Sequence, residues 1–331
     1  LKAQGHHYLL LAGALALFAA AVVIILPWSG AEKAPPIRPL AIIPVGAAFV
    51  LDVDVARLRK SATGAELSRL GFERLSPAGP SSEFQPLRDV DTVVVAVAGG
   101  ARLVSERRAS VDPDELVVVA SGRFMGNAAA DAAVTRIRER GGSPVRTMLG
   151  SFVSVRDLLG SGEVATRDGL LVLGDGAYLR AVLAAAEGLR ATGRPSEQIS
   201  DHVHAELRRT FGRGALATAT LTLPEGSLEA ALGDPEAHRS PLALVRSAAV
   251  RVSVEKDVDI DAELICASEE NCAKVAEFLA RLREDLEREL GSNTPFRHFD
   301  DPGRRDGARV SLSLKLSLED VRRYFAPSEK R

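Results

Sequence analysis

The stretch AVRVSVEKDVDIDAELIC, residues 249–266, decides the architecture. Val250, Val252 and Val254 alternate with polar residues, and Val258, Ile260, Ala262, Leu264 and Cys266 do the same after a short EKD connection. Successive strand side chains point to opposite faces, so this is a hairpin with one dry face and one polar face. The polar side of the second arm carries Asp257, Asp259, Asp261 and Glu263. Carboxylates in a row suit hard cations, yet alternate strand residues stand about 7 Å apart and do not converge unaided. A solvated outer face is the reading of this row, with a protein-docking or weak cation surface next.

Downstream of the hairpin, Ser268 or Asn271 caps a long helix whose apolar stripe is Val275, Phe278, Leu279, Leu282 and Leu286. Arg309 to Leu318 then gives a last alternating strand, SLSLKLSL, before a short helix with Val321 and Phe325. Between them RHFDDPGRRDGAR, residues 297–309, is dense in charge and turn formers. It reads as a loop, and loops on rigid scaffolds carry recognition. Arg297, Arg304 and Arg305 are therefore candidate partner contacts.

Upstream, VDTVVVAVA (90–98) and ELVVVA (115–120) read as central strands. GRFMGNAAADAAVTRIRERGG follows, with Asn127 as a helix cap and Gly141 and Gly142 as its stop. Shorter strands are expected at 145–149, 152–155 and 170–173, and a helix from Ala177 to Leu189. FVLDVDVARLRKS (49–61) and TATLTLPEGSLEAAL (218–232) are both strands entering short helices, and each half later repeats a strand entering a long helix. The economical expectation is α+β: an N-terminal transmembrane helix, then two tandem β-α-β-β-α-β-like units with mostly antiparallel sheets. The expected boundaries are a leader and span at 1–28, a Pro-rich linker at 29–43, α+β domains at 44–195 and 196–326, and a tail at 327–331.

The span is the unbroken apolar run Leu9 to Leu26, ended by Pro27 and Trp28. Eighteen helical residues reach roughly 27 Å, near the thickness of a hydrocarbon core. The run exceeds the usual signal-peptide core, and Trp28 sits where an interfacial indole belongs, which favours an uncleaved anchor. Ser29 and Ala31 keep signal cleavage open as the alternative. The short leader places the large domain outside the cytoplasm, so the expected location is a bacterial inner membrane with periplasmic domains. The bilayer, met through residues 9–26, is then the first partner.

The formal net charge is -2, with charges interspersed and few aromatic residues, so no basic or stacking surface for nucleic acid is present. The two cysteines, Cys266 and Cys272, lie where a strand gives way to a helix. In an exported domain they form either a disulfide or two small buried hydrophobes; a metal or C-x-x-C redox site is poorly matched. Leu173-Gly174-Asp175-Gly176 lacks the spacing of a phosphate-binding loop and reads as a turn before a helix. His202 and His204 point to opposite sides of a helix, while His238, His298, Ser247 and Ser292 lack recognisable partners. No catalytic residue, cofactor site or metal site is legible.

The anchor, the linker and the entry IIPVGAAFVLDVDVARLR resemble membrane-anchored cell-envelope proteins of myxobacterial type. The resemblance implies an envelope role and carries no functional residue with it. The expected function is a protein-interaction or assembly component of an envelope complex, whose partners are other envelope proteins. The alternative is a membrane-anchored hydrolase or ligand-binding protein with a non-local site.

Overall fold

The computed structural model describes residues 37–61, 89–98, 115–158, 160, 162–193, 214–222, 241–254, 257–290 and 299–317. Twelve strands form one sheet: β1 Phe49–Asp54, β2 Val90–Val97, β3 Leu116–Gly122, β4 Pro144–Leu149, β5 Phe152–Asp157, β6 Glu163–Arg167, β7 Leu170–Gly174, β8 Ala217–Thr222, β9 Val245–Val254, β10 Val258–Cys266, β11 Phe299–Asp306 and β12 Arg309–Leu316. Their order is β11-β12-β10-β9-β8-β1-β2-β3-β7-β6-β5-β4, and every neighbouring pair is antiparallel. The described helices are α1 Val55–Lys60, α2 Gly126–Glu139, α3 Gly176–Thr192 and α4 Glu269–Leu290.

This order overturns the expectation of an α+β chain with two tandem units. β1 pairs with β2 on one edge and with β8 on the other, Leu51 standing opposite both Val95 and Ala219. Strands assigned to separate sheets therefore share one, and the protein is mostly β. The physical reason is that each β1 edge has backbone groups to satisfy and matching apolar neighbours on both sides. Phe49, Leu51 and Val53 meet Val97, Val95 and Val93 across one edge, and Leu221, Ala219 and Ala217 across the other. The apolar run at residues 9–26 lies outside the described residues, among which no helix is long and apolar enough to cross a membrane.

Both faces of the sheet are dry in its N-terminal half. On the front, Phe49, Leu51, Val53, Val93, Val95, Ala120 and Leu171 form a cluster that includes Ala129 of α2. On the back, Val50, Val94, Val117, Val119, Leu170 and Val172 pack with Leu179, Val182, Leu183 and Ala186 of α3. A 3-10 turn, Pro39–Ile42, adds Ile42 to that cluster. Two-sided cover explains why VVVAV in β2 is apolar without alternation. The C-terminal half alternates instead. Its front face carries α4, whose Cys272 and Val275 pack with Val245, Cys266 and Val310, and its back face is mostly polar, with Ala249 and Ile265 packed together on it.

Local chemistry sets the element ends. Asp54 accepts from Arg57 N at 2.7 Å and caps α1, and Asp175 accepts from Gly176 N at 2.8 Å and caps α3. The turn reading of residues 173–176 therefore holds. Ser268 Oγ accepts from Asn271 N at 3.2 Å at the start of α4. Asn127 is not the cap of α2: that position is Met125, and Asn127 sits one residue inside the helix, where its carbonyl accepts from Arg146.

Candidate interaction surface

The back face of β8, β9, β10 and β12 is built by strand register. One line across the sheet reads Asp52, Thr218, Arg251, Asp261 and Ser313, each opposite the next. Alternation places one residue of each strand on this face at every second position, so acids on β10 meet bases and hydroxyls from β9 and β12. Arg251 Nε stands 3.2 Å from Asp261 Oδ2, and Ser313 Oγ donates to Asp261 Oδ1 at 2.8 Å. Lys315 Nζ lies 3.2 Å from Asp257 and 3.9 Å from Asp259. Arg309 lies 4.0 Å from Glu263.

The acidic row is thus a charge-paired surface. Asp257, Asp259, Asp261 and Glu263 do share a side of the strand, as alternation requires, but each faces a cation: Lys315 serves Asp257 and Asp259, Arg251 serves Asp261, and Arg309 serves Glu263. Nothing draws them together around one ion, and the described residues hold no group of three or more potential metal ligands. The paired cations Arg251, Arg309 and Lys315 were hidden by reading the row alone. RVSV of β9 and SLSLK of β12 carried the information once their register with β10 was known.

Arg304 and Arg305 lie in β11, opposite Ser311 and Val310 of β12, so the segment read as a loop is an edge strand from Phe299 onward. Pro302 and Gly303 fall at a register shift between Asp300 and Arg304, which is how a strand absorbs a turn-like sequence. Gly307, at φ 57°, then allows the tight return into β12. Arg297, His202, His204, His238, His298 and Ser292 lie outside the described residues. Ser247 is a buried residue of β9.

Cys266 and Cys272 form a disulfide with Cα atoms 5.4 Å apart. The bond links the end of β10 to the first turns of α4 and is buried, Cys272 completely. Cys272 N also donates to Ser268 O at 3.0 Å, so the corner is held by backbone and sulfur together.

A second polar assembly escaped the sequence reading because its members are scattered. Glu187 of α3 accepts from Ser151 N at 2.7 Å and Ser151 Oγ at 2.8 Å. Arg167 donates to the same hydroxyl, and Asp168 receives Arg190 at 3.4 Å and Arg167 at 3.5 Å. The Ser151 backbone N–H, its hydroxyl and the Arg167 charge hold Glu187 below its ordinary range. Burial, then the adjacent Arg167 charge, pull Arg190 below its ordinary value. The one advance sign was Asp168-Gly169, with φ values of 37° and 72°, the dipeptide of a two-residue hairpin turn. The network fastens the β4–β5 and β6–β7 turns to α3.

A cleft of about 410 Å³ opens beside α1, lined by Asp54, Ala56, Arg57, Lys60, Ser61 and Val254. Asp54 is spent on the helix cap, and Arg57 reaches Ala215 O at 3.4 Å.

No family model and no curated protein matches the chain. Among solved structures it is similar to TP0453 in two crystal forms. Crystal form III aligns with a TM-score of 0.47 at 12% identity, over 89% of this chain and 98% of that one. Crystal form I aligns with a TM-score of 0.45 at 14% identity, over 88% and 97%.

Proposed function

We propose that this chain is a single-pass envelope protein of myxobacterial type that acts as a protein-interaction or assembly component of a bacterial cell-envelope complex. Residues 9–26 anchor it in the inner membrane and the sheet stands in the periplasm. The observation that carries the reading is the buried Cys266–Cys272 disulfide, since such bonds persist in oxidising compartments and are rare in a reducing cytosol. The anchor-like run supports the same compartment. A broad sheet whose polar face is laced with cross-strand ion pairs supports recognition rather than chemistry.

The test is crosslinking in intact cells, followed by membrane fractionation and mass spectrometry of co-recovered proteins. The expected result is a defined set of envelope proteins in the membrane fraction. Recovery of the chain alone, with crosslinker reach verified on a known complex, overturns the interaction reading.

A further inference from the structure

The two edges of the sheet are guarded differently. β11 carries Pro302 and a register shift, devices that discourage another strand from pairing. β4 has a proline only at its first residue, and Arg146, Thr147 and Met148 are all exposed. Which backbone groups face outward follows from the ladder. Leu158 N donates to Ser143 O at 2.9 Å, and pairing runs from Pro144 opposite Asp157 to Leu149 opposite Phe152. Bonded and non-bonded pairs alternate in an antiparallel ladder, so Val145, Thr147 and Leu149 bond to β5. Arg146 and Met148 turn their N–H and C=O groups away from the sheet.

Arg146 does not shield this edge. Its guanidinium is drawn onto α2, 2.8 Å from Asp131 and 3.2 Å from Asn127. Met148 is 61% exposed, an apolar side chain beside two free backbone groups. The start of the strand is basic. Arg138 and Arg140 lie at the end of α2, Arg156 stands opposite Val145, and none of the three forms an ion pair among the described residues. The nearby acids are engaged: Glu139 by Arg136 at 3.1 Å, Asp157 by Ser143 N at 3.0 Å, and Glu163, which stands opposite Arg156 in β6, by the Ser154 hydroxyl.

We infer that β4 is a docking edge that accepts an extended, net-acidic segment of another protein as an added strand. The outward N–H and C=O groups of Arg146 and Met148 hold its backbone, Met148 gives an apolar contact, and Arg138, Arg140 and Arg156 select its charge. This deepens the interaction reading above and rests on it.

The experiment places photoreactive p-benzoylphenylalanine at Thr147 of the full chain in cells, with Met148, Met148→Ala or Met148→Pro beside it. Proline removes the outward N–H and leaves the β4–β5 bonds intact, which an edge strand tolerates; matched melting curves verify folding. The expected adduct joins a different protein through a net-acidic peptide, persists with Met148→Ala within twofold, and falls at least tenfold with Met148→Pro. An adduct with a second copy of this chain, a neutral or basic crosslinked peptide, or indifference to proline overturns the inference. An envelope complex recovered by general crosslinking with no adduct at position 147 overturns the edge assignment and leaves the interaction reading intact. No complex by either route overturns both.

Discussion

Glu187 on α3 accepts two hydrogen bonds from Ser151, one from its backbone and one from its hydroxyl, across the β4–β5 turn. The helix that packs the back of the sheet is thereby tied to a hairpin tip 36 residues earlier in the chain. Gly150, at φ 56°, makes that approach possible, since a Cβ there would meet Glu187 Oε1 at 2.4 Å.

Glu187→Gln should lower the melting temperature at pH 7. The folded state holds Glu187 below its ordinary value of 4.5, so the unfolded chain binds the proton first as the pH falls. The stabilisation is fully present above about 4.5 and fades as the pH drops through the lower folded value. Melting curves from pH 7 to pH 2.5 should show wild type and variant converging at the acid end. A constant gap at every pH refutes this account.

Replacing both cysteines by alanine should cost about 2 kcal/mol, the chain-entropy expectation for so short a loop. Alanine is the right substitute because Cys272 is fully buried, where a serine hydroxyl would lack a partner. Urea titration with and without reductant checks the source: reductant should destabilise the wild type by the same amount and leave the double-alanine protein unchanged.

Arg251 and Asp261 are both about one-third exposed, so solvent screens their attraction. A double-mutant cycle with alanine at each position should give a coupling below about 1 kcal/mol, weakening in 1 M salt. Millimolar calcium should leave the melting temperature unmoved, because the acids of the row already face cations on neighbouring strands. A calcium-dependent rise would mean that the carboxylates converge in solution.

Gly122→Ala should be the most damaging small substitution in the sheet. A Cβ at that position would lie 1.9 Å from Asp89 O and 2.7 Å from Val90 Cα, at the point where β2 and β3 shift register. The clash is with backbone, so relief requires strand displacement, at about 3 kcal/mol. Denaturant midpoints measure it, with Gly188→Ala as the control, since open space surrounds Gly188.

Local patterns were legible because they depend on near neighbours. The β9–β10 hairpin followed from period-two alternation, and the disulfide was one of two readings that the cysteines at a strand–helix corner left open. Sheet membership was not legible. β1 and β8 are joined by pairs such as Leu51 with Ala219, and no local residue reports so distant a contact. The repeated strand–helix order suggested two bodies, while the pairing of β1 on both edges made one. β11 was missed for the opposite reason: Asp300, Asp301, Pro302 and Gly303 look like a turn, and a register shift hides that irregularity inside a strand. The polar face was half legible, its acids visible in one strand and its bases distributed over two others.

Because β1 lies between β2 and β8, the order of strands across the sheet is not the order in which the chain is made. As synthesis runs from the N-terminus, β1 can meet β2 early, but its other edge must wait for β8, after α3 has been completed. Until then Val50 and Leu51 border an open seam, the kind of surface at which nascent chains pair wrongly. A fragment ending after α3 would keep that seam for good, and a chaperone that shields one strand edge would find its natural substrate there.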